Sequence, residues 1–222
     1  MDISNISRGQ SVSQVKAART PSRDSRSAIL DAARSAFLEH GFQGVSLRAI
    51  AHDAGLTTGA IYGNFHSKED LFDAVVSAAG DGLVELYEQI IAEFSLLPKE
   101  QRGWDAMGEF ERVSMARLVD FMYDNYDCFR LICTCSSGTS WEHYKDRLME
   151  LELMSTIEYE RTVHAHDDAY EGQSHVLLDY IVNQFIQGIF QPIVLGLSRR
   201  EAQSFVYAYG CFFHEGARGM FS

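Results

Sequence analysis

The feature that most narrows the possible folds is helical spacing that is almost never broken. Across 222 residues only three prolines occur, at positions 21, 98 and 192. Strand-like alternation joined by Asn-Gly or Asp-Gly turns is missing, while apolar residues recur three and four apart between capping signals. Ile29, Ala33, Ala36 and Phe37 share one face of a first helix expected from about Asp24 to His40, with Gly41 placed for a left-handed C′ position. Ser67-Lys-Glu-Asp70 reads as a capping-box-like start for a long helix that reaches about Phe94 and stops before Leu97-Pro98, with a linker up to Trp104. Thr139-Ser-Trp-Glu142 and Ser198-Arg-Arg-Glu201 have capping-box spacing, and helices are expected near 105–124, 126–135, 140–165, 174–196 and 199–219. Pro192 is expected to bend its helix. The chain is predicted to be all-α.

One stretch, residues 46–66, is more specific. Ser46 can cap a short helix that turns Ile50 and Ala51 inward, and Gly55 follows four residues after the small Ala51. Two helices that cross steeply need a small residue at their contact and a turn residue able to take positive φ. Ile50, Leu56 and Ile61 would then form a small core against Phe37. A second short helix would begin at Thr57, Thr58 and Gly59, whose hydroxyl and N–H groups can meet phosphates or base edges. This is helix-turn-helix logic.

The wider pattern runs Ile29-Leu-x-x-Ala33, Phe37, Gly41-Phe42, Ile50-Ala51-x-x-Ala54-Gly55-Leu56, Gly59-Ala60-Ile61-Tyr62-x-x-Phe65 and Lys68-Glu69-x-Leu71. Over residues 29–72 it resembles the DNA-binding domain of the tetracycline-repressor (TetR) family. Ser46 stands for the more usual Thr, and Gly63 and Asn64 stand where many members carry an aromatic or His. The resemblance implies a basic arm at 1–22, a three-helix helix-turn-helix DNA-binding domain at 23–72, and a helical ligand-binding and dimerisation domain at 73–222. It also implies that Tyr62 and Lys68, with Ser46 and Thr57, contact phosphates. Arg48 would read a base, and Thr58, Gly59, Ala60, Gly63 and Asn64 would complete the groove-facing surface, with His66 beside a phosphate. The alternatives are a packed ring for Tyr62 and a solvated charge for Arg48.

Charge must be counted by segment. The formal net charge of −12 argues against a chain-wide polyanion binder. Residues 1–76, however, carry eight basic and eight acidic groups, and residues 77–222 carry 11 basic and 23 acidic. Arg8, Lys16, Arg19, Arg23 and Arg26 against Asp2 and Asp24 leave residues 1–30 at +3. A reading surface of so few residues requires a homodimer on a palindromic double-stranded operator. Leu177, Ile181, Phe185 and Gly188 line one candidate dimer face, and Phe205, Tyr209 and Phe212 another.

Phe110, Met115, Met122, Tyr126, Phe129, Trp141 and Tyr144, with Asn183, Gln184 or Gln187 as polar orienters, are candidates to line a pocket for a small-molecule effector, the alternative for each being a place in the core. Two other sensors are weighed: a thiol switch at Cys128, Cys133 and Cys135, and metal binding at His164 and His166 beside Asp167 and Asp168. Buried structural thiols and a solvated loop are favoured over both. No nucleophile triad or phosphate loop is recognisable, and no cofactor, metal site or enzyme activity is expected. Residues 1–25 lack an apolar signal-peptide core, no apolar run approaches the roughly 18 residues of a membrane span, and the four cysteines form no CxxC pair. The expectation is a cytoplasmic transcriptional regulator, more a repressor than an activator.

Overall fold

The computed structural model describes residues 23–98, 103–163 and 174–221, and among these there is no strand. The arm at 1–22 and the His164/His166 group lie outside the described residues. The helices are α1 (Arg23–Gly44), α2 (Leu47–Asp53), α3 (Thr58–Tyr62), α4 (Lys68–Ser95), α5 (Trp104–Asp124), α6 (Tyr126–Thr134), α7 (Tyr144–Val163), α8 (His175–Val194) and α9 (Arg199–Phe221).

Local chemistry sets most of these boundaries. Ser46 Oγ accepts from the Ala49 N–H at 3.2 Å, Thr57 Oγ1 from Ala60 at 3.2 Å and Ser67 Oγ from Asp70 at 3.0 Å. Each such cap is worth about 1 kcal/mol. At α9 the box closes in both directions, with Ser198 N–H donating to Glu201 at 2.8 Å and Glu201 N–H to Ser198 Oγ at 3.4 Å. The expected box at Thr139 does not form. Glu142 instead accepts from the Gly138 N–H at 2.9 Å and from Ser137 Oγ at 3.2 Å, so it braces a turn and α7 begins only at Tyr144.

One further expectation changes. Gly41 has φ 70° and ψ 168°, which is the extended positive-φ region rather than the left-handed helical one, and helical backbone resumes to Gly44. The kink turns Phe42 into a cluster with Phe37 and Phe72, ring centroids 5.1–5.9 Å apart. Pro192 stands inside α8, where its missing N–H removes one i→i−4 bond, and the helix runs on for two residues to Val194.

The packing has two parts joined by one helix. Helices α1 to α3 enclose Ile29, Phe37, Ile50, Ile61 and Phe65, all essentially inaccessible to solvent. The 28-residue α4 runs through position 72 without a break and packs on α5, α6 and α7 beyond it. A second attachment comes from the end of α1: the Phe42 N–H donates to the Cys135 carbonyl at 3.2 Å, and Gln43 Nε2 donates to the Ser137 carbonyl at 3.3 Å. Helix α9 lies along α5 and against α8.

Candidate nucleic-acid interface and effector cavity

The turn between α2 and α3 is built as its sequence requires. Gly55 takes φ 66°, its N–H donates to the His52 carbonyl at 3.0 Å, and Leu56 N–H donates to Ala51 at 2.8 Å. Ile50, Ala51, Ile61 and Phe65 are buried, which leaves the opposite surface of the unit to solvent. Ser46, Arg48, Thr57, Gly59, Gly63 and His66 are exposed there, while Thr58 and Ala60 are half-buried. Tyr62 is 59% exposed, so it is not packed into the core. The capping hydroxyls of Ser46 and Thr57 accept from backbone and keep their own protons to donate.

Two expected contacts, those of Lys68 and Asn64, are placed otherwise than the sequence suggested, while His66 keeps an exposed ring. Lys68 Nζ donates to the carbonyls of Phe42 at 2.8 Å and Val45 at 3.0 Å and lies 4.4 Å from the Phe42 ring centroid. It secures the end of α1 rather than standing free for a phosphate. Asn64 Nδ2 donates to the Ala60 carbonyl at 2.8 Å, which draws half of its amide edge away from adenine recognition. His66 offers its backbone N–H to Asp70 at 2.7 Å, in addition to an exposed ring.

A cavity of about 440 Å³ opens between α4, α5, α7, α8 and α9. Of the pocket residues expected from sequence, Phe110, Met115 and Gln184 line it. Met122 and Phe129 are closed core, and Tyr126 and Asn183 line neither of the two cavities described here. Trp141, Tyr144 and Gln187 border a separate polar recess of about 360 Å³, where Lys145 Nζ donates to Gln187 at 2.6 Å. Length and apolarity were legible in the sequence, but which faces converge on empty space depends on long-range packing.

Sequence reasoning missed the main cavity's acidic groups. Glu152 Oε2 accepts from the Tyr87 hydroxyl at 2.7 Å, and Glu111 Oε2 lies 3.1 Å from His214 Nδ1. Burial, and then the charge of Glu152, pushes the Glu111 carboxyl up to about 8. Burial also raises Glu152, against the lowering effect of the Tyr87 hydroxyl, and lowers His214. Ser114 is buried on the cavity wall, and its Oγ has no hydrogen-bond partner. The available signal was Glu152 itself, a charge set between Leu151 and Leu153.

The expected dimer faces divide. Gly188 lies beneath the Tyr209 ring of the same chain, where a Cβ would stand 2.0 Å from a ring carbon. Tyr209 donates to the Gln184 carbonyl, and Phe185, Phe205, Tyr209 and Phe213 stack as one intrachain cluster. These residues therefore join α8 to α9. Ile181 is half-buried, whereas Leu177 and Phe212 are exposed, together with Val176, Tyr180 and Tyr207.

The cysteines are free and half-buried. Burial raises the Cys128 thiol and pushes Cys133 up to about 11, the opposite of what a reactive thiolate requires. Among the described residues no group of three or more His, Cys, Asp or Glu could hold a metal ion, and no helix is long and apolar enough to cross a membrane.

Residues 29–75 match the family described as bacterial regulatory proteins, tetR family. Over 67 residues, 30% of this chain and 33% of the relative, the chain is 36% identical to the HTH-type transcriptional repressor KstR2 of Rhodococcus jostii. The match thus spans about a third of that curated relative's length. Among solved structures, the TetR-family regulator PfmR of Thermus thermophilus superposes with a TM-score of 0.59 at 18% identity, covering 85% of this chain and 94% of that one. The regulator FadR of Bacillus subtilis, solved in complex with stearoyl-CoA, superposes with a TM-score of 0.52 at 14% identity, covering 85% and 95%. At these identities the structures establish a shared fold.

Proposed function

We propose, from the premise that this chain belongs to the TetR family of bacterial regulatory proteins through its N-terminal segment, that it is a sequence-specific DNA-binding transcriptional repressor, released from its operator by a small-molecule effector. The observation that carries the reading is the division of one short unit. Its apolar residues are consumed by the core, while Arg48, Thr57 and Tyr62 are left exposed. Tyr62 and the capping hydroxyls suit phosphates, which set register, and Arg48 suits a guanine edge, which sets sequence. A unit this small reads few base pairs. Two copies on a palindrome, with half-sites about 34–36 Å apart, supply the missing specificity. The exposed apolar residues of α8 and α9 support pairing with a second copy, and the main cavity supports an effector site.

The test is a mobility-shift titration on the DNA upstream of the protein's own gene, with the salt concentration varied. Palindrome-dependent binding that weakens as salt rises is expected. Tyr62→Ala should weaken binding to all sequences alike, whereas Arg48→Ala should cost about 1–3 kcal/mol at one base position and relax the preference there. Absence of specific binding to any genomic fragment would overturn the regulator reading. A uniform loss in Arg48→Ala would overturn its base-reading role.

A further inference from the structure

We propose that the cavity between α4, α5, α7, α8 and α9 takes a protonated amine with an apolar body, its ammonium held by the carboxyls of Glu111 and Glu152 and by the Ser114 hydroxyl. This rests on the reading of the chain as an effector-responsive regulator and names the chemical class of the effector.

The walls are apolar: Ile90, Phe94, Phe110, Tyr159, Leu178 and Ile189 surround most of the space. Against them the polar groups stand out. Glu111 and Ser114 are three residues apart on α5 and so lie on one face of that helix, and Glu152 approaches the same cavity from α7. Each carboxyl spends one oxygen inside the protein, on Tyr87 at 2.7 Å or His214 at 3.1 Å, and has another left. Ser114 is only 5% exposed, and its Oγ is unpartnered, a condition native proteins rarely leave in place.

Three kinds of ligand head can be compared. A carboxylate or phosphate would meet two acids. A neutral hydroxyl could satisfy Ser114 but would gain nothing from the pair. An ammonium supplies three N–H donors and a positive charge, so it can satisfy both free carboxyl oxygens and the Ser114 hydroxyl at once. The rings of Phe94, Phe110 and Tyr159 add faces that attract a cation.

Charge balance gives the reading a signature. Without a ligand, burial and the neighbouring Glu152 keep Glu111 protonated near neutrality. An entering ammonium pairs with the carboxylate, and the Glu111 proton leaves to solvent. The other titratable groups around the cavity are Tyr87 from α4, Tyr159 from α7, Tyr180 from α8 and His214 from α9, with Arg112, Asp105, Glu215 and Arg218 acting on His214. Burial holds His214 towards its neutral form, so the acid pair is the proton source.

The experiment is calorimetric titration of the full chain with decylammonium, decanol and decanoate, which share one tail and differ in the head. Decylammonium should bind at least about tenfold tighter than either of the others at pH 7. Its affinity should rise about tenfold per pH unit between pH 6 and 7.5, as one proton is released. Glu111→Gln should flatten that slope and weaken decylammonium about tenfold while leaving decanol unchanged; His214→Gln should keep the slope. Ser114→Ala, which alters no charge, should weaken the amine and keep the pH dependence. Equal or tighter binding of decanol or decanoate, a slope that survives Glu111→Gln, or no binding by any of the three would overturn the proposal. The regulator reading is tested separately by adding decylammonium to the DNA complex. An amine that binds selectively yet releases no DNA counts against effector control and leaves the cavity chemistry standing.

Discussion

Around Gly41 there is open space where a Cβ would stand, yet the backbone, at φ 70° and ψ 168°, is one that side chains rarely tolerate. Gly41→Ala therefore tests backbone strain free of any clash. Destabilisation of about 1–3 kcal/mol is expected, reduced by the few tenths gained from a stiffer unfolded chain. The measure is a lower urea midpoint with an unchanged slope. The sequence marked this glycine as special because a helix ended there, but it could not show which positive-φ region the chain would need. Lys68 teaches the same lesson. Its type and position suited a phosphate, but carbonyls 23 and 26 residues away claim its ammonium. Side chains whose partners are three residues away, such as the capping Ser46 and Thr57, were legible. Those with distant partners were not.

Helices were legible where each end carried its own chemistry. The reciprocal bonds of Ser198 and Glu201 need only four residues, and that box forms. Thr139 offered the same spacing, yet its N–H donates to the Ser136 carbonyl at 2.9 Å and Glu142 accepts from Ser137 and Gly138, so α7 starts later. Faces were harder to read than ends. Periodicity placed Gly188, Tyr209 and Phe212 on apolar stripes, but only packing shows that the first two close on each other while Phe212 remains 73% exposed. Leu177 is also open on α8. Leu177→Glu should convert a dimer to monomer by light scattering without loss of helical circular dichroism, because two like charges facing across a two-fold axis cost several kcal/mol. A dimer that persists at micromolar concentration would exclude this part of α8 from the interface.

For the whole molecule, the excess acidity falls beyond residue 76, and part of it is buried around the cavity. An acid whose folded-state pKa is raised binds its proton more tightly in the folded chain, so its contribution to stability is present at low pH and lost as pH rises. For Glu111 the window runs from its ordinary value of 4.5 to about 8. The thermal midpoint should fall across that range, and Glu111→Gln should flatten the decline; an identical profile in the variant would place the titrating group elsewhere. Composition gave the acidity but not its enclosure, since Glu111 and Glu152 meet only when α5 and α7 pack around the same space. The attachment of α1 to the loop after α6 has a different consequence. Its Phe42–Cys135 bond is made by main-chain atoms on both sides. Replacing the Cys135 side chain with alanine leaves donor and acceptor in place, so a scan of that position would pass over this joint, whereas residue 42 is fixed separately by its ring among Phe37 and Phe72.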